Sequence, residues 1–219
     1  MKLVPNETCL VVAGAWNPAV VTPEWLLKFG LKSEAGLENR VQAFIPTGVG
    51  MVFEFPRFSL DRFSFVVRPD TLIFYPKESL ESQMAEIEFV AGNTVHELTH
   101  TPIRGIGHNF EFRDAEPDAQ FLSAFTNSQT DLIDATPNGW TVSTSTVTTA
   151  LQVGDSIVNI TRYFDGSQLS VRFNFHHQVE GGVEAVKLLR SQTGERHFFD
   201  SYNIARDLIT KMYGAINDE

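Results

Sequence analysis

Only one cysteine, Cys9, occurs in the 219 residues. No disulfide can close within the chain, so a reducing, cytoplasmic compartment is the expected one. Basic runs are missing as well: 17 lysines and arginines stand against 27 acidic residues, and the net charge of −10 repels a phosphate backbone or an anionic membrane surface. Neither nucleic acid nor a membrane is therefore an expected partner. No stretch approaches the roughly 20 consecutive apolar residues that a spanning helix takes. At the amino terminus Pro5, Asn6 and Glu7 interrupt the apolar segment where a signal peptide keeps its continuous hydrophobic core, so no secretory signal is expected there. Two catalytic signatures are absent too. There is no GxSxG elbow, and the glycine-rich Arg104-Gly105-Ile106-Gly107 lacks the GK[ST] ending that cradles phosphates.

What the chain does have is phenylalanine, 18 of them, in a composition that is otherwise ordinary for a globular protein: 42% hydrophobic and 20% charged. So many aromatic rings imply a rigid interior, or an apolar surface that something else covers.

The pattern along the chain reads as an acidic α+β protein. A first strand fits Cys9 to Trp16, and Thr22, Pro23 and Glu24 then give a helix its N-cap, first position and favourable dipole charge, with Trp25, Leu26 and Phe29 on its apolar stripe. Strands are expected at Met51 to Phe55, Phe63 to Val67 and Thr71 to Tyr75, the last two joined by a turn at Arg68-Pro69-Asp70. A long helix capped by Ser79 runs to about Thr99, because Leu80, Met84, Ile87, Ala91, Val95 and Leu98 recur at helical spacing; Gly92 and Asn93 are its weak point.

The same order then begins again. A strand at Ile106 to Phe112 leads into a short helix at Asp118 to Phe125, then strands at Trp140 to Leu151, Ile157 to Phe164 and Leu169 to Phe175, the last two joined at Asp165-Gly166. A helix at Ser201 to Tyr213, carrying Ala205, Leu208, Ile209 and Met212 on one face, ends at Gly214. Residues 1–101 and 102–219 each read β-α-β-β-β-α: a pseudo-duplicated body with extended antiparallel sheet packed by two long helices, expected to fold as one cooperative unit. Leu169, Val171, Phe173 and Phe175 alternate with Ser170, Arg172, Asn174 and His176, which predicts one buried and one wet sheet face.

One string matches a catalytic motif. His96-Glu97-Leu98-Thr99-His100 is HExxH, which on a helix sets two imidazoles on one side to bind zinc and a glutamate to activate the metal-bound water. Against that reading, Pro102 ends the helix just after His100, and the face through Ala91, Val95 and Leu98 turns both histidines toward solvent. A third ligand lacks the expected spacing. His108 is the nearest candidate, but it shares a strand face with Ile106, Phe110 and Phe112, and Glu111 and Glu116 have no recognisable spacing either.

Other polar residues have simpler accounts. His176 and His177 are adjacent on a strand, so they point to opposite faces and cannot chelate one metal; His197 precedes Phe198 and Phe199, where docking of the last helix explains it. Cys9 in an apolar strand is expected to be an inert thiol, and Trp16, Trp25 and Trp140 to border the core.

Two functions are left. The preferred one is a non-enzymatic protein-binding or assembly module, without cofactor, whose sheet face or edge meets a protein partner or a second copy of the chain. The rival is a zinc-dependent metallohydrolase with His96 and His100 as ligands, His108 as a third, and Glu97 as general base.

Overall fold

The computed structural model describes residues 1–32, 41–44, 55–117, 122, 137, 143–190 and 197–214. Its strands are β1 (Lys2–Leu3), β2 (Cys9–Gly14), β3 (Gln42–Phe44), β4 (Arg57–Ser59), β5 (Phe63–Val67), β6 (Thr71–Pro76), β7 (Ile103–Asp114), β8 (Ser145–Val153), β9 (Ser156–Phe164) and β10 (Leu169–Gln178). They form one antiparallel sheet in the order β3-β4-β5-β6-β2-β7-β10-β9-β8, and β1 also pairs with β7. The helices are α1 (Pro23–Trp25), continued by a π turn at Leu26–Gly30, then α2 (Glu81–Glu97), α3 (Gly182–Leu189) and α4 (Phe198–Tyr213). The protein is thus α+β with an antiparallel sheet, and no helix among the described residues is long and apolar enough to cross a membrane.

Local chemistry accounts for the turns. The Thr22 hydroxyl accepts the Trp25 N–H at 3.2 Å and starts α1. Arg68 N–H reaches the Thr71 carbonyl at 2.8 Å and closes the β5–β6 hairpin. In the β9–β10 turn the Asp165 carboxylate accepts the N–H groups of Ser167 and Gln168 at 3.0 and 2.9 Å, an Asx-type arrangement that pins the register of both strands.

The aromatic residues gather where the sequence places them. Phe63, Phe65, Phe74, Phe110, Phe112 and Phe173 are all essentially inaccessible, on the sheet face that meets the helices. Met84, Ile87, Ala91 and Val95 of α2, together with Ala205 and Ile209 of α4, are buried in the same continuous core. Burying side chains of this size is worth about 1.5–3 kcal/mol each, which makes this layer the main source of stability.

The expectations need several corrections. Helix α2 starts later than periodicity implies: its N-cap is Leu80, whose side chain bonds no backbone group, so Ser79 does not cap it. It also ends earlier, at Glu97, with Leu98 as C-cap, because the run into Pro102 removes the helical continuation. Helix α3 is absent from the sequence reading; its Gly181 and Gly182 start look like loop. Strand β2 stops at Gly14 rather than Trp16, β7 is longer at both ends, and α4 begins at Phe198 rather than Ser201. The expected strand at Met51 to Phe55 falls almost wholly outside the described residues, as does the helix at Asp118 to Phe125 apart from Leu122; β4 lies further along, at Arg57–Ser59.

Candidate functional site

The HExxH string is not carried on a continuous helix. His96 and Glu97 occupy the last turn of α2, and His100 lies beyond the C-cap in the turn that leads to β7. The i, i+4 geometry that would put both imidazoles on one helical face is therefore missing. His96, Glu97 and His100 are all solvent-exposed. His108 is elsewhere, fully buried on the helix-facing side of β7, where its Nδ1 lies 2.9 Å from Ser201 Oγ of α4. Glu111 faces the opposite side of the sheet, 1% exposed, with its carboxylate held by Arg113 and Arg172. Glu116 is exposed. Among the described residues no group of three or more histidine, cysteine, aspartate or glutamate side chains is placed to hold a metal.

Polar groups do gather along the seam between α4 and the sheet. His177 of β10 lies 2.8 Å through Nδ1 from Ser156 Oγ, and its ring centre is 5.0 Å from that of His108. Burial, reinforced by the nearby His177 and His197, holds His108 well below the ordinary histidine value near 6.5. It is a neutral ring at neutral pH, and its Nε2 has no hydrogen-bond partner. At the start of α4 the Phe198 N–H donates to Glu88 Oε1 at 2.8 Å, and His197 Nδ1 stands 3.4 Å from Glu88 Oε2. Burial pushes the Glu88 carboxyl up to about 7, against the lowering effect of those two contacts. A glutamate on α2 thus caps α4 across 110 residues of sequence.

On the sheet face opposite α2 and α4 the side chains form a crossing row. Asn159 donates to Asn174 at 3.2 Å, Asn174 to Asn109 at 2.8 Å, and Asn109 reaches Cys9 Sγ at 3.7 Å. Desolvation drives the Cys9 thiol up to about 12, in keeping with an inert sulfur. His176 lies on this face and His177 on the other, as alternation requires; a Cβ on Gly105 would come within 2.8 Å of the His176 ring, so the glycine makes room for it. Trp16 borders the core with its indole N–H on the Val12 carbonyl at 2.9 Å, Trp25 rests on Phe29 with ring centres 5.0 Å apart, and Trp140 lies outside the described residues.

Among the described residues the sheet ends in β8, whose nine residues read STVTTALQV. It contains no charge, proline or glycine, and every residue from Thr148 to Val153 is exposed, whichever face it points to. Leu151 and Val153 are 42% and 56% exposed. Among the described residues only β9 pairs with it, so its outer row of N–H and C=O groups faces outward without a strand. The sequence locates a strand here but not its place in the sheet. Edge position follows from which strands pair, a long-range fact, and the one local signal is nine residues without a charge.

Comparison with known proteins brings no match: no family model, no curated protein and no solved structure aligns significantly with the chain.

Proposed function

We propose that the chain is a non-enzymatic protein-binding or assembly module that acts through the edge of its sheet at β8. One observation carries this reading: a nine-residue edge strand, uncharged and exposed on both faces. Such an edge accepts an added strand through its backbone groups, with alternate side chains setting specificity. The partner it suits is an extended segment that is itself uncharged. A second copy of the chain supplies one.

Antiparallel pairing of β8 with its own copy about a two-fold axis through Thr149 sets Val147 opposite the copy's Leu151 on one face, and Thr148 opposite Ala150 and Thr146 opposite Gln152 on the other. Apolar thus meets apolar at Val147 and Leu151 and small or polar meets small or polar on the other face, while at the two ends Val153 lies opposite the copy's Ser145. No like charges meet, although the chain as a whole carries −10.

The proposal extends to the origin of this edge. Residues 1–101 and 102–219 are read as two halves of one cooperative body, supported by the strand order. The first strands of the two halves, β2 and β7, lie side by side, and the sheet then runs outward through β6, β5 and β4 on one side, with β3 beyond, and through β10, β9 and β8 on the other; β4 takes the place expected for Met51 to Phe55. Strands β4 and β8 are then equivalent positions.

Sedimentation velocity over a dilution series tests the function. The wild-type chain should pass from monomer to dimer as concentration rises into the range of about 10–100 µM. Thr149→Lys, which sets two ammonium groups against each other at the axis, should stay monomeric. A wild-type chain that is monomeric throughout, or a variant that dimerises equally well, rejects this edge as the interface.

A further inference from the structure

Several departures from regular backbone meet in one place. Lys32 has φ +52°, and among the described residues it is the one non-glycine in the left-handed region. It follows the π turn at Leu26–Gly30, which the Leu31 N–H closes on the Leu26 carbonyl at 2.9 Å. Opposite lies the Gly92-Asn93 pair inside α2, where glycine is a poor helix former. Departures of this kind that cluster in one place are a reason to look there for a site.

The pieces fit one another. A Cβ on Gly92 would approach Arg190 Cγ to 3.0 Å and Leu189 Cβ to 3.4 Å, so the bare backbone lets the end of α3 lie directly on α2. The neighbouring Asn93, 1% exposed, accepts an Arg190 Nη2–H on its Oδ1 and donates its own amide to the Gly30 carbonyl at 2.6 Å. One buried side chain therefore ties an exposed guanidinium to the π turn and fixes its orientation. Ordering that is already complete before a ligand arrives does not weaken its binding.

Between these groups is a cleft of about 430 Å³ lined by Lys32, Phe89, Asn93, Leu189, Arg190 and His197, with Ala85 and Glu88. Its size suits a small molecule. In a chain of net charge −10 it brings together Lys32 and Arg190, and beside them Phe89 is 49% exposed. The Glu88 carboxyl is occupied by the Phe198 N–H and His197.

We propose that this cleft binds a small carboxylate with an aromatic or apolar body. The carboxylate lies on the Arg190 guanidinium with Lys32 supplying further positive charge, and the body rests on Phe89 and Leu189. The site lies among the helices and is independent of β8.

Isothermal titration of the full chain with benzoate tests it, with benzamide as an uncharged compound of the same shape. Benzoate should bind saturably, once per chain, with Kd of about 1 mM or tighter, and benzamide about tenfold more weakly or worse. Arg190→Lys, which keeps the charge but loses the planar fork, and Lys32→Met should each weaken benzoate about tenfold. Lys32 is exposed, so its variant reads out the site even where Arg190→Lys fails to fold, which circular dichroism detects. Three results overturn the proposal: no saturation up to about 10 mM, equal binding of benzoate and benzamide, or undiminished binding by Lys32→Met. Loss of stability in Arg190→Lys with benzoate affinity unchanged would make Arg190 a strap between α2 and α3 and nothing more.

Discussion

The two ends of the sheet are built differently. Among the described residues one side finishes in β3, three residues long and paired with the equally short β4. The other finishes in β8, nine residues without a charge and without a described strand beyond it. Short, charged or covered edges are the usual defence against unwanted strand pairing. Among the described residues the β8 edge is the longer of the two, and the proposed function assigns the partner to that edge and the stability of the fold to the inner strands.

That separation has consequences of very different size. The largest lies in the inner strands: Phe110 of β7 is 1% exposed and touches Phe175, Phe198 and Tyr202, so Phe110→Ala should cost about 3–5 kcal/mol in urea unfolding. The same measurement on Thr149→Lys in β8 should give a change within about 0.5 kcal/mol. Comparable losses at the two sites would erase the distinction between core and edge.

An intermediate effect depends on acid. His108 has its folded-state value depressed by burial and by the neighbouring His177 and His197, so the folded chain binds fewer protons than the unfolded one. The stabilisation is present in full above the unfolded value near 6.5 and is lost as pH falls below it. His108→Gln should therefore lose less stability than the wild type between about pH 7.5 and about pH 5, whatever its stability at the upper pH. Glu88 acts in the opposite sense. Its value is raised to about 7, so its contribution declines as pH rises from its ordinary value of 4.5 toward 7, and it offsets part of the histidine effect. An acid limb as steep in His108→Gln as in the wild type would show that His108 is not its source.

Period-two and period-3.6 patterns made most of the layers legible. The β5 strand at Phe63–Val67, an aromatic and β-branched run buried on both faces, and the core stripe of α2 from Met84 to Val95 are where composition and spacing put them, because both are local signals. The ends of α2 and the start of α4 were not legible. Caps there are made by distant groups: Glu88 receives the first N–H of α4, and no Ser79 hydroxyl serves α2. The HExxH string shows the converse. Five letters match, yet the helix stops between the two histidines, since Pro102 and the tight turn into β7 decide the backbone there. Gly92 and Asn93 look like a defect in the sequence and make sense only beside Arg190, which is 97 residues from Asn93 along the chain. The edge at β8 was hidden for the same reason: no residue in a strand encodes what lies beside it.

Cross-linking at the proposed axis tests the central claim most directly. In a chain with Cys9→Ser, a single Thr149→Cys should oxidise to a covalent dimer, because residues facing each other in an antiparallel pair have Cα atoms about 4.5–5.5 Å apart, within disulfide range. Val153→Cys should not cross-link, since four residues from the axis on each chain separates the pair by about 27 Å. A dimer from Thr149→Cys but none from Val153→Cys is the predicted result. Equal cross-linking at both positions, or none at Thr149→Cys, would contradict β8 pairing and the assembly function built on it.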